Sequence, residues 1–134
     1  MGFKIEAACG CNIGKIRKNN EDNFHFDGKC LKQENKGLRN VICYDGRLQT
    51  DDCVAVFDGM GGENYGEVAS FVAARHLQRT QRELEDYFVQ ERTYLNKLVS
   101  EINDQVVREQ KKYGTDRMGS TMVLLYFSSR SDTW

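Results

Sequence analysis

The sequence predicts an α+β domain with helices packed on a sheet. Two observations carry that reading: the order of elements runs strands, helix, helix, strand, and neither an internal repeat nor a low-complexity linker interrupts its 134 residues. From Phe3 to Cys11 the chain alternates, with Phe3, Ile5, Ala7 and Cys9 on one side and Lys4, Glu6 and Ala8 on the other, as a half-buried strand should. Asn12 to Asn20 is a polar, glycine-containing turn that keeps Arg17 near the end of this strand. A second, short strand-like run follows at Asn23-Phe24-His25-Phe26. Residues 28–51 carry weaker signals; Asp45-Gly46, between Val41-Ile42-Cys43-Tyr44 and Arg47-Leu48, predicts a hairpin turn.

Val54 to Gly62 reads as an apolar strand that runs into Asp58 and then into a turn holding three glycines. A helix is expected from Gly66 to Leu84, with Val68, Ala69, Val72, Ala73, His76 and Leu77 on one side. A second helix, near Glu91 to Tyr113, has a stripe of Leu95, Leu98, Val99, Ile102 and Val106, and Gly114 is its natural stop. Both stripes should face the core. Gly119 to Phe127 is nearly all apolar and predicts a strand buried on both faces, followed by a polar tail from Ser128 to Trp134.

Composition narrows the function. With 29% charged residues, a net charge of −1 and no apolar run long enough to span a bilayer, neither a nucleic-acid nor a membrane partner is expected. No basic stretch followed by an apolar core opens the chain, so a cytoplasmic location is expected. Cys9, Cys11, Cys30, Cys43 and Cys53 are odd in number and form no Cys-x-x-Cys pair, which fits free thiols in a reducing compartment. A zinc site would need His25 or His76 to join them, and the spacing does not support that.

Asp58 places a hard anionic oxygen at the end of an apolar strand next to backbone carbonyls, a donor type suited to Mg²⁺ or Mn²⁺. A second acidic cluster, Asn19-Asn20-Glu21-Asp22, lies upstream behind Arg17. Two carboxylate clusters and one guanidinium point to metal-assisted phosphate chemistry. Other phosphate-handling patterns fail on spacing: Val56 stands where a haloacid-dehalogenase-type nucleophile would need an aspartate, and Glu63 follows Gly62 where a P-loop would need a lysine.

Three stretches together, Arg17-Lys18-Asn19-Asn20-Glu21-Asp22, Phe57-Asp58-Gly59-Met60-Gly61-Gly62 with Gly66-Glu67-Val68-Ala69-Ser70, and Gly119-Ser120-Thr121, resemble the metal-dependent protein phosphatases of type 2C (the PPM family), in its bacterial branch. The resemblance covers Arg17 to Phe127. The family's catalytic domain continues well beyond the point where this chain stops at Trp134, and two further motifs, each supplying a metal-binding aspartate, would lie there. The resemblance therefore implies that residues 1–134 form a single, incomplete domain. Its expected architecture is part of a β-sandwich with antiparallel sheets covered by two antiparallel helices.

The resemblance also implies roles. Asp58 would bridge two divalent ions, Mn²⁺ or Mg²⁺, and the Gly59 carbonyl would ligate one of them; fewer ions are expected where the later aspartates are missing. Glu21 and Asp22 would hold metal-bound waters or a metal directly. Arg17 would grip the substrate phosphate through its planar fork, which makes Asp58 and Arg17 the expected catalytic pair. Two ions about 4 Å apart can lower the pKa of a bridging water enough for hydroxide to attack phosphorus. Met60 departs from the eukaryotic pattern, where a histidine at that place is thought to protonate the leaving alkoxide; methionine has no such proton. Ser120 and Thr121 are expected to support the site from beneath.

The expected activity is hydrolysis of phosphoserine and phosphothreonine in proteins by a metal-bound water, as in bacterial signalling, with a phosphorylated protein as substrate. A chain without the later aspartates should turn over slowly or not at all. The alternative is a non-catalytic, phosphatase-like binding or regulatory module. Cutting a sandwich in half should leave apolar sheet surface uncovered, so self-association is also expected.

Overall fold

A computed structural model of the chain describes residues 4–47, 52–61, 65–80 and 91–127. Six strands and two helices are described: β1 (Lys4–Cys9), β2 (Asp22–His25), β3 (Ile42–Arg47), β4 (Asp52–Met60), α1 (Gly66–Thr80), α2 (Glu91–Lys112), β5 (Gly119–Ser120) and β6 (Val123–Phe127). β1 and β3 form one antiparallel sheet. In the second sheet β4 is central, with β2 along one edge and β5 and β6 along the other, all antiparallel.

β4 shows why the layers form. Cys53, Ala55, Phe57 and Gly59 are buried, whereas Val56, Asp58 and Met60 between them are exposed, so successive side chains serve opposite faces of one sheet. The buried set packs against α1, where Val68, Ala69, Ala73, Ala74 and Leu77 are at most 1% exposed. Alanines at three of these positions let the helix lie close to the sheet. From α2, Leu98, Ile102 and Val106 complete this core. Val99, expected in the same stripe, is 51% exposed and stands outside it.

The C-terminus of α2 follows the expectation for Gly114. That residue has φ +63°, its N–H donates to the Lys111 carbonyl at 3.2 Å, and the Thr115 N–H reaches the Gln110 carbonyl at 3.2 Å. This is the Schellman pattern, in which a left-handed glycine lets the chain satisfy the last carbonyls of a helix. No helix among the described residues is long and apolar enough to cross a membrane.

Four expectations are corrected. Asp45-Gly46 makes no hairpin turn: β3 continues through it, pairing Asp45 with Glu6 and Gly46 with Ile5. The Tyr44 side chain lies over Gly46, where an added Cβ would come within 2.6 Å of its hydroxyl, so the glycine leaves room for an aromatic neighbour and β1 supplies the backbone partners. Likewise Gly59 and Met60 belong to β4, so Asp58 sits inside a strand and not at its end. Gly119–Phe127 is divided into β5 and β6, which nonetheless keep one register along β4 (Gly59↔Ser120, then Val56↔Val123). It is also open on one face, with Val123 68% and Leu125 50% exposed. The expectations for Phe3, Leu48, Gly62, the helix beyond Thr80 and the tail from Ser128 fall outside the described residues.

Candidate functional site

The two acidic motifs meet across one strand pair. In the β2–β4 register Asp22 stands directly opposite Asp58. The next pair, Glu21 and Gly59, is joined by a bond from the Gly59 N–H to the Glu21 carbonyl at 3.1 Å, so the aspartates occupy a non-hydrogen-bonded position, where opposing side chains come closest. Both project from the sheet face opposite the helices. They border a cleft of about 380 Å³ that also includes Gly10, Cys11, Asn12 and Thr121.

Asp58 is held by its own backbone. Its N–H donates to Thr121 Oγ1 at 3.2 Å, and its carbonyl accepts from the Thr121 N–H at 2.9 Å and from Ser120 Oγ at 3.2 Å. The Thr121 carbonyl, which would ordinarily accept from Asp58, instead accepts from Ser120 Oγ at 2.8 Å. Side-chain hydroxyls thus replace a ladder carbonyl beside Asp58, and this is where β5 and β6 part. Ser120 and Thr121, expected to support the site, are both hydrogen-bonded to the Asp58 backbone.

The upstream motif is anchored by its asparagines. Asn20, 4% exposed, accepts from the Asp22 N–H at 3.2 Å and donates to Asn35 Oδ1 at 3.0 Å and to Cys11 Sγ at 3.1 Å. Asn23, 3% exposed, clasps Leu31 through both its N–H and its carbonyl at 2.9 and 3.2 Å. Sequence reasoning singled out neither as a holder of the site. Their signal was present in the asparagine-rich run 19–23, since an amide that must stay buried has to be fully bonded.

Arg17 reaches Glu21, Nη1 to Oε2 at 3.1 Å, from a side chain 70% exposed. The expected phosphate-binding guanidinium is therefore at the rim beside the acidic motif, engaged by Glu21. The Asp22 carboxyl is raised above its ordinary pKa, first by burial and next by the Asp58 carboxylate, while the Arg17 guanidinium pulls it partway back. Cys11, also in the cleft, is raised by burial and by Asp22, against the hydrogen bond from Asn20. All five cysteines are free; Cys53, in the core, is pushed up to about 12 by burial and Asp52.

A hard divalent ion fits the Asp22 and Asp58 pair, because two carboxylates forced together across strands call for a counter-charge and offer only oxygen. The set is small. Among the described residues no group of three or more His, Cys, Asp or Glu side chains is arranged to hold a metal ion. Glu21, the third acid of the motifs, is turned to Arg17.

No protein-family model matches the chain. Among curated proteins it is similar to the serine/threonine phosphatase stp of Listeria welshimeri, 32% identical over 113 residues that make up 82% of this chain and 38% of that protein. Proteins of the same name from Listeria innocua and Listeria monocytogenes are 32% and 31% identical over equal lengths. The similarity supports a relationship to Ser/Thr phosphatases. The chain spans about two fifths of the length of these relatives.

Proposed function

We propose that the chain is part of a metal-dependent protein phosphatase that hydrolyses phosphoserine and phosphothreonine. The observation that carries this reading is the Asp22–Asp58 cross-strand pair with the Arg17–Glu21 ion pair at its rim. Similarity to proteins named serine/threonine phosphatases supports the same reaction class. Asp58, Asp22 and the Gly59 carbonyl would hold Mn²⁺ or Mg²⁺, with Glu21 beside them. When bound, such an ion supplies charge to polarise phosphoryl oxygens and to activate water.

The chain's own residues then have distinct tasks. Thr121 and Ser120 fix the backbone of Asp58, so its carboxylate is presented without a turn's freedom. Arg17 can leave a largely exposed ion pair at little cost and take the substrate phosphate by two parallel bonds. Met60, 53% exposed, has no proton for the leaving seryl oxygen, so that proton must come from solvent or from another residue.

A second reading has its own support. Two carboxylates with no third acidic ligand among the described residues make a weak cation site, which favours a phosphatase-like module with little turnover. One assay separates the two: hydrolysis of a phosphothreonine peptide with Mn²⁺ present, by the parent chain and by Asp58→Asn. Turnover lost in the variant supports catalysis by this chain, and no turnover above background in either supports the binding module.

A further inference from the structure

We propose that Gly66, the first residue of α1, is a positioning residue for the metal ligands: its missing side chain is the space that keeps the Gly59 carbonyl and the Glu21 carboxyl group in place. The inference rests on the metal reading above and concerns a residue that reading does not use. A Cβ built on Gly66 lies 2.8 Å from the Gly59 carbonyl oxygen and 3.1 Å from Glu21 Cδ. One built on Gly59 lies 2.0 Å from the Gly66 carbonyl oxygen and 2.6 Å from the Glu21 carbonyl oxygen. The end of β4, the start of α1 and the residue before β2 thus meet with no room for a methyl group.

Conformation does not explain these glycines. Among the described residues the glycines with positive φ are Gly14, Gly28, Gly37 and Gly114, so neither Gly59 nor Gly66 adopts a backbone that only glycine favours. Space is the remaining reason, and it is used differently at the two positions. A side chain on Gly59 would strike backbone from two segments. On Gly66 a methyl group meets the Gly59 carbonyl oxygen and carbon at 2.8 and 3.0 Å and the end of one flexible side chain, at Glu21 Cδ, at 3.1 Å.

That difference decides what must move. The Gly59 strand is pinned by its bond to the Glu21 carbonyl and, one residue earlier, by Thr121. The softer partner is the Glu21 carboxyl group, which among the described residues is engaged by Arg17 at the rim. Gly66→Ala should therefore turn Glu21 away and, because its closest contact is with pinned backbone, displace the Gly59 carbonyl at some cost in stability.

The test is Mn²⁺ titration of the 134-residue chain by calorimetry, with thermal unfolding of the metal-free proteins as control. Mn²⁺ affinity should fall about tenfold in Gly66→Ala, the usual scale for groups that orient metal ligands, while the metal-free variant, with a lowered midpoint, still unfolds in one cooperative transition. Glu21→Gln, which keeps the shape and removes the charge, should weaken Mn²⁺ by a similar factor. In protein labelled with ¹³C at glycine carbonyls, Mn²⁺ should broaden the Gly59 signal in the parent and much less in Gly66→Ala. Parent-like affinity in Gly66→Ala, or in Glu21→Gln should Gly66→Ala fail to fold, overturns the positioning role even if Asp58→Asn abolishes binding. A parent chain that takes up no Mn²⁺, or an Asp58→Asn variant that binds as well as the parent, overturns the metal reading itself.

Discussion

The two faces of the central sheet share the same strands and differ in almost everything else. On the helix side, Phe57, Ala55 and Cys53 are at most 4% exposed and meet an apolar layer from α1 and α2. On the opposite side, the alternate residues of the same strands are Asp58, Val56, Val123 and Leu125, with the three aliphatics at least half exposed. The β1–β3 sheet covers that side only in part, leaving a groove of about 300 Å³ bordered by Ala7, Cys9, Phe26, Val54, Val56 and Leu125. One face therefore holds the fold together. The other carries the proposed site and has apolar surface to spare.

If this division is right, substitutions on the two faces should differ in kind as well as in size. The largest effect belongs to the helix side: Phe57→Ala should cost about 3–5 kcal/mol in chemical denaturation, since a 1% exposed ring leaves a cavity that close-packed alanines cannot fill. Gly59→Ala comes next, at about 1–3 kcal/mol, because its methyl group would press on backbone that is already bonded. A result under 0.5 kcal/mol there would show that α1 can slide on the sheet.

Thr121→Val tests the clamp on Asp58. Removing the hydroxyl deprives the Asp58 N–H of its acceptor and should cost about 1 kcal/mol, with a larger fractional loss of any Mn²⁺ binding. Equal metal affinity in parent and variant would mean that the Asp58 carboxylate needs no backbone support.

Asp22→Asn should do the reverse in the absence of metal. The Asp22 carboxyl has a folded pKa raised above its unfolded one, so its contribution favours folding at low pH and is lost as pH rises through the raised value. At neutral pH the charged carboxylate opposes Asp58, and the variant should be more stable than the parent by about a few tenths of a kcal/mol, a gain that shrinks as the Asp22 carboxyl protonates. Added Mn²⁺ should invert the order, because only the parent gains binding free energy. Melting curves at pH 4 and pH 7, with and without Mn²⁺, check both signs.

The smallest effect on stability is expected on the outer face. Leu125→Lys should change unfolding by less than about 0.5 kcal/mol, yet it should reduce self-association. β6 is an edge strand among the described residues, and residues 118–127 carry no charge to discourage pairing with a second copy. Light scattering that finds the parent chain monomeric would remove the proposal that this surface joins copies.

Much of this was legible in order and type. The periodicities of Val68 to Leu77 and Leu98 to Val106 located both helices and their buried sides, and Gly114 marked a helix end, because these signals depend on neighbours a few residues apart. The acidic motifs, Arg17 and the Ser120-Thr121 pair were likewise visible as residue types suited to phosphate and metal. The Asp45-Gly46 turn failed for the complementary reason: a local preference lost to a partner strand some forty residues away in the chain. Alternation could assign Val123 and Leu125 to one face of a strand, but not say that the described residues leave that face half open.

What the sequence determined by itself is therefore the set of elements and the chemical character of the groups they carry. Tertiary structure alone decided that Asp22 faces Asp58, that Thr121 displaces a ladder bond beside it, and that Gly66 and Gly59 share one crowded crossing with Glu21. The physical reason is range: helix and strand periodicity follow from local backbone geometry, whereas register and close approach follow from how separate segments share a fixed volume.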